Sequence, residues 1–129
     1  MQGFRRSLLL AASLLALAPL APLAHAQGFP TKPIKIVITY APGGTGDVIA
    51  RTLATSMSEL LGQPVVVENK TGAFGSIGTM AVKQAPPDGH TLLLAFDGTL
   101  VINPHVYAKL PFDTLKDFAP VGKIGNATL

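Results

Sequence analysis

Three short stretches of the chain combine glycine with a hydroxyl or a carboxylate in a way that suits anion binding. They are Ala41-Pro42-Gly43-Gly44-Thr45-Gly46-Asp47, Gly72-Ala73-Phe74-Gly75-Ser76 and Asp97-Gly98-Thr99. Glycine lets a ligand approach the backbone closely, because no side chain stands in the way. The first two lead into helical patterns, whose unpaired N–H groups and positive dipole end favour an anion. Asp47 is the one carboxylate of the first stretch. It can stabilise a helix dipole, hydrogen-bond the loop backbone or accept from a ligand's donor, and charge repulsion disfavours its direct contact with an anion.

Elimination narrows the chemistry. A phosphate-binding nucleotide loop needs G-x-x-x-x-G-K-[ST], and no lysine follows Gly43, Gly44 or Gly46. The dinucleotide fingerprint G-x-G-x-x-G fits better, with Gly44-Thr45-Gly46 as its first half and Glu68 where a ribose-binding acid would stand. Its last position is Ile49, however, so a dinucleotide-dependent oxidoreductase is a minor alternative. A serine-hydrolase elbow around Ser76 would need glycine where Phe74 stands, and neither His90, at the head of a strand, nor His105, in an expected surface loop, has a spaced partner. No His/Asp/Glu spacing suggests a metal, and no cofactor is implied.

The elements that must position these loops follow from periodicity. Ile34 to Thr39 is a β-branched run suited to a strand covered on both faces. From Asp47 to Leu61 the apolar residues Ile49, Leu53, Met57 and Leu60 recur at helical spacing, and Gly62 and Pro64 end the pattern. Val65 to Val67 is a second strand. Ser76 can cap a helix to about Gln84 with Ile77, Met80 and Ala81 inward, and Thr91 to Phe96 is a third strand. The order β-α-β-α-β predicts an α/β fold on a parallel sheet, with ligands beyond the carboxyl ends of the strands. Beyond Thr99 a short helix, a loop at residues 110–113 and a strand starting near Phe118 are expected.

The first 26 residues carry Arg5 and Arg6, an apolar run from Leu8 and the small-residue ending Ala24-His25-Ala26, the layout of a cleaved secretory signal. Pro19 and Pro22 interrupt the run and argue against a spanning helix. The general export route fits it better than the twin-arginine route. Cleavage after Ala26 leaves eight basic and seven acidic residues, a net charge of +1, which is no nucleic-acid footprint. The chain has no cysteine, hence no disulfide framework, no thiolate metal site and no lipid-modified cysteine. A soluble protein of the periplasm is expected.

Taken in order, YAPGGTGDVIAR, LGQPVVVENKTGAFGSIGT, PPDGHTLLLAFDGTLVINP and KLPFDTLKDFAPV resemble the extracytoplasmic substrate-binding proteins of tripartite tricarboxylate transporters, the Bug family. The resemblance covers the chain from about Phe29. It implies a periplasmic-binding-protein type II fold, a two-lobed Venus flytrap that carries a small carboxylate to a permease of one large and one small subunit, without catalysis and as a monomer. A sensory module presenting the same ligand is the alternative. Members are typically more than twice this length, so residues 27–117 are expected to form the amino-terminal part of the first lobe and residues 118–129 the start of the crossover to the second. Carried over residue by residue, the ligand positions are Ala41, Gly43, Gly44, Thr45 and Asp47 in the first loop and Gly75, Ser76 and Ile77 in the second, with Gly98 and Thr99 bordering the pocket. Phe74 replaces a usual glycine and could narrow the pocket, stack on an aromatic carboxylate or pack against the hinge.

Overall fold

A computed structural model describes residues 28–126, so the expected export signal lies outside the described residues. Strand β1 (Ile34–Ile38) leads through the first glycine loop into helix α1 (Thr45–Leu61) and then strand β2 (Val65–Asn69). A tight turn at Ala73–Gly75 precedes helix α2 (Ser76–Lys83), strand β3 (Thr91–Leu94), a π-helical turn at Gly98–Ile102 and the short helix α3 (Asn103–Val106). The three strands form one parallel sheet in the order β2-β1-β3, with Ile36 opposite both Val67 and Leu92.

Side chains alternate across a strand, so this register assigns the two faces of the sheet. Ile36 and Ile38 of β1, Val65 and Val67 of β2, and Leu92 and Leu94 of β3 meet Ala50, Leu53, Ala54 and Met57 of α1 in the main core. Val37 and Thr39 point to the opposite face, where α2 packs against β1 and β3. The central strand is accordingly covered on both sides, as its apolar run requires.

The face that α1 turns inward is the expected one only in part: Leu53 and Met57 pack against the core as expected, but beside Ala50 and Ala54, and Leu60 does not. Ala50 and Ala54 are buried and Leu53 and Met57 partly so, whereas Leu60 is 85% exposed. The helix comes close to the sheet, and small residues fit that separation where Ile49 and Leu60 would not. It also starts two residues early, at Thr45, and ends on Gly62, whose φ of 65° is left-handed and whose N–H bonds the Ser58 carbonyl. The Ser58 hydroxyl accepts from the Val65 N–H at 2.9 Å and fixes the entry to β2.

Other boundaries also move. Gly75, with φ 89°, is the residue before α2, so Ser76 is not its cap; Ile77 is exposed, and Gly78 and Thr79 are the residues buried against the sheet. His105 lies in α3 rather than in a loop, and residues 118–126 contain no strand. The turn before that segment, residues 111–118, is held by ionic and aromatic contacts: Lys83 pairs with Asp117 at 2.7 Å and donates to the Pro111 carbonyl, while buried Phe112 meets Phe118 edge-on. Among the described residues the 118–126 segment has no neighbouring strand to pair with.

At the other end of the sheet His90, directly before β3, is 93% enclosed. Its Nε2 accepts the Thr31 N–H, its ring lies 4.8 Å from that of Phe29, and its own N–H bonds Asp88, so it fastens the segment before β1 to the sheet. Replacing Ile38, which has no exposed surface, with alanine should cost about 3 kcal/mol of stability in urea unfolding. Leu60→Ala should stay within about 0.5 kcal/mol, although its helical spacing marks it as inward-facing.

Candidate functional site

The three glycine-bearing stretches lie together at the carboxyl edge of the sheet, because β1, β2 and β3 all run the same way. The first is organised by Asp47. Its side chain is 7% exposed and accepts from the Gly43 N–H at 3.0 Å, from Arg51 Nε at 2.9 Å and Nη2 at 3.0 Å, and from Asn69 Nδ2 at 3.0 Å. Asp47 is the third helical residue after Gly44, so its reach back to the loop backbone resembles the acidic half of a capping box. Asn69, the last residue of β2, also donates to the Tyr40 carbonyl at 3.1 Å. One carboxylate therefore ties the loop after β1 to the start of α1 and the end of β2.

Of the three roles open to Asp47, these contacts show the hydrogen bond to the loop backbone, and its oxygens are taken by protein donors. Arg51 above all, then the Gly43 N–H and Asn69, hold its pKa far below the ordinary carboxylate value against the opposing effect of burial. The same pairing raises that of Arg51. The pair is charge-neutral as a unit. The N–H groups of Thr45 and Gly46, which have no intrahelical acceptor in a helix's first turn, are left beside it.

The second loop meets the third. Gly75 sits so close to its neighbours that an added Cβ would lie 2.7 Å from Thr99 Oγ1 and 3.2 Å from Thr39 Cβ. Its carbonyl accepts the Thr79 hydroxyl at 2.8 Å, and the Phe74 carbonyl accepts Asn103 Nδ2 at 3.0 Å. Thr39 Oγ1 is buried here without a hydrogen-bond partner. Asp97 accepts from the Gly98 N–H, and Tyr40 meets Phe96 edge-on at 4.9 Å, with Gly46 packed on the Phe96 ring.

Of the ten expected ligand positions, the structure joins Gly43 to Asp47 and Gly75 to Thr99, and sets Gly98 near the Tyr40 hydroxyl. Ala41, Gly44 and Thr45 are exposed at the start of α1, and Ser76 is half-buried at the start of α2. Ile77 is the outlier: it is 54% exposed and lies over Gly72. Thr39, Tyr40, Arg51, Asn69 and Asn103 were not anticipated. Arg51 had a signal, since Asp47 and Arg51 stand four apart on a helix; the others come together only through the sheet register.

The competing chemistries lose their key groups. The Glu68 carboxylate is taken by Lys35 at 2.7 Å and Lys70 at 3.1 Å, not free for a ribose. His90 stands at the amino end of β3, the opposite edge of the sheet from Ser76. Among the described residues no group of three His, Cys, Asp or Glu could hold a metal, and no helix is long and apolar enough to cross a membrane. A separate cleft of about 850 Å³ lies between α3 and the turn at 110–117. Its lysines, Lys83 and Lys116, are already paired with Asp117 and Asp113, so it offers no free charge to a carboxylate.

Comparison with known proteins places the chain in a family. The family model described as tripartite tricarboxylate transporter family receptor matches residues 49–129. BugT of Bordetella pertussis is 39% identical over 116 residues, covering 89% of this chain and 36% of BugT. Among solved structures, MatC from Rhodopseudomonas palustris with bound malate is 39% identical with a TM-score of 0.69, over 72% of this chain and 32% of that one. A structure described as a periplasmic transporter is 46% identical with a TM-score of 0.65, over 68% and 30%. The chain spans about a third of the length of the curated relatives it matches.

Asp47→Asn should lower the melting temperature at pH 7. A depressed folded-state pKa means that the carboxylate stabilises the fold above its unfolded value of about 3.9, and that this contribution disappears as pH falls through the folded value. Thermal melts from pH 7 to pH 2 should therefore show a steeper acid decline for the wild type than for the variant. Gly75→Ala should cost about 1–3 kcal/mol in chemical denaturation, from its left-handed φ and from displacement of Thr99.

Proposed function

The chain belongs to the tripartite tricarboxylate transporter family receptors, and on that premise we propose that it is the ligand-capturing part of an extracytoplasmic receptor for a small carboxylate. The observation that carries this reading is the commitment of Asp47 to Arg51, Asn69 and the Gly43 N–H. It removes a free negative charge from the mouth of the first loop while leaving the first-turn amides of α1 for an anion. The turn at Gly75 brings the start of α2 to the same edge, against Thr99. Backbone amides and hydroxyls from two loops then hold one carboxylate group, with no lysine or arginine in either loop.

The energetics suit such a clamp. A hydrogen bond to a charged group contributes about 1.5–3 kcal/mol, so four or five approach the roughly 8 kcal/mol of a micromolar complex. Water must be excluded for that value to be reached, which calls for a second wall. In our reading residues 27–117 build most of one lobe, residues 118–129 begin the crossover, and a second lobe closes over the ligand. The bound receptor delivers its cargo to a two-subunit membrane permease. The leader read in residues 1–26 and the periplasmic relative support a periplasmic location, and the malate-bound relative supports a carboxylate as cargo.

Gly44 provides the test. Its φ is −78° and an added Cβ would meet only the Ala41 carbonyl, at an ordinary 3.7 Å, so Gly44→Leu keeps the fold while its side chain covers the first-turn amides. In a thermal-shift screen of the full-length protein against mono-, di- and tricarboxylates, a ligand at 100 times its dissociation constant should stabilise the wild type by roughly 2.7 kcal/mol. The variant should melt like the unliganded wild type and lose that shift. Equal shifts in both proteins would remove the site from the loops, and shifts by nucleotides alone would end the receptor reading.

A further inference from the structure

The second loop contains a conformation that its sequence does not favour. Four successive residues, Gly72, Ala73, Phe74 and Gly75, have positive φ, at 116°, 46°, 51° and 89°. Two of them carry a Cβ, for which the left-handed region is disfavoured. Such strain persists only where the surroundings enforce it, and it gathers at ligand clamps. Here the enforcing contacts are the Gly75 N–H to the Gly72 carbonyl at 3.0 Å, the Asn103 amide on the Phe74 carbonyl at 3.0 Å, and the seat of Gly75 on Thr99. Asn103 is itself buried.

Core packing does not account for this arrangement. The Phe74 side chain is 77% exposed, and its ring centre lies 5.7 Å from that of Tyr107 at an angle of 44°. A strained backbone thus presents an aromatic ring to solvent, one residue from Gly75 and two from Ser76 at the start of α2. Consecutive Cα atoms are about 3.8 Å apart, so a carboxylate held at the start of α2 places its attached body within reach of that ring. Among the described residues neither loop of the clamp holds a cation for a second anionic group, whereas the ring offers a flat apolar surface.

We propose that Phe74 is a specificity-determining residue, its ring forming with Tyr107 an apolar wall that selects carboxylates carrying an aromatic body. The proposal rests on the receptor reading and narrows it. Aromatic rings prefer tilted or offset contacts at centre distances of about 4.5–7 Å, and Tyr107 already holds Phe74 in such a tilt. A ligand ring completes a cluster of three. An aliphatic dicarboxylate gains nothing from the wall, and among the described residues neither loop holds a cation for its second charge.

Calorimetric titration of the full-length protein with benzoate and 4-hydroxybenzoate, against malate and adipate, tests this. Two variants are needed. Phe74→Gly removes the ring and relieves the left-handed strain, so it should melt no lower than the wild type. Phe74→Leu keeps an apolar side chain at the same strained position without an aromatic face. The wild type should bind the aromatic acids at least tenfold more tightly than malate or adipate. Both variants should lose about tenfold in affinity for the aromatic acids and change by less than twofold for any aliphatic acid that binds. Tighter binding of malate or adipate by the wild type, or equal losses for both classes of acid, would overturn the proposal and leave the receptor reading intact. A clear drop in the melting temperature of Phe74→Gly would assign the ring to packing against another part of the chain and would overturn it too. Failure of all four acids to bind the wild type would count against the receptor reading itself.

Discussion

A buried carboxylate beside a helix start is the constraint on which the rest of the site depends. Asp47 lies in the first turn of α1, where the helix dipole favours a negative charge, and it would compete there with any anionic ligand were it free. Arg51, one turn further along, takes both of its oxygens, and Asn69 and the Gly43 N–H complete the set. The result is a neutral and fully bonded unit. It converts a glycine-rich segment, flexible by composition, into a fixed loop, and it does so by joining three consecutive parts of the β-α-β unit.

The second constraint is how closely the helices approach the sheet. Gly46, Ala50 and Ala54 form the seam of α1, and an added Cβ at Gly46 would lie 2.8 Å from the Phe96 ring. Gly75 and Gly78 form the seam of α2, where a Cβ at Gly78 would lie 2.8 Å from the Lys70 carbonyl. These small residues let both helix starts sit low over the strand ends. Larger side chains would lift the helices and separate the two loops that together make the clamp. Glycine in this protein therefore serves packing as much as ligand access.

The order of elements and the parallel sheet were legible because β-branched runs, helical spacing and glycine-proline stops agree with one another. The inward face of α1 was legible only in part, since hydrophobic spacing finds Leu53 and Met57 but also Leu60, while close approach to the sheet adds Ala50 and Ala54. Ser76 has the chemistry of a cap, but Gly75 with its positive φ takes that position, and residue type alone does not reveal a backbone angle. The apolar residues after Phe118 read as a strand, yet pairing is a property of two segments and the described residues provide no second one there. The same reasoning applies to the site. Glycine positions could be marked from the pattern, whereas the partnership of Asn69 with Asp47 exists only once β1 and β2 are aligned in register.

The proposed clamp of amides and hydroxyls would recognise a carboxylate group and little beyond it. Its donors are fixed by helix starts and tight turns, so they vary little when side chains change, and they have no means of sensing what the carboxylate is attached to. Within this part of the receptor, discrimination would then come from side chains at the rim, which can change without disturbing the sheet or the helix starts. Phe74 stands at such a place: its backbone is held by Asn103 and by the glycines on either side, while its ring contributes no burial to the core. On the proposed reading the two tasks separate, a rigid backbone holding the carboxylate and an exposed ring beside it meeting the rest of the ligand.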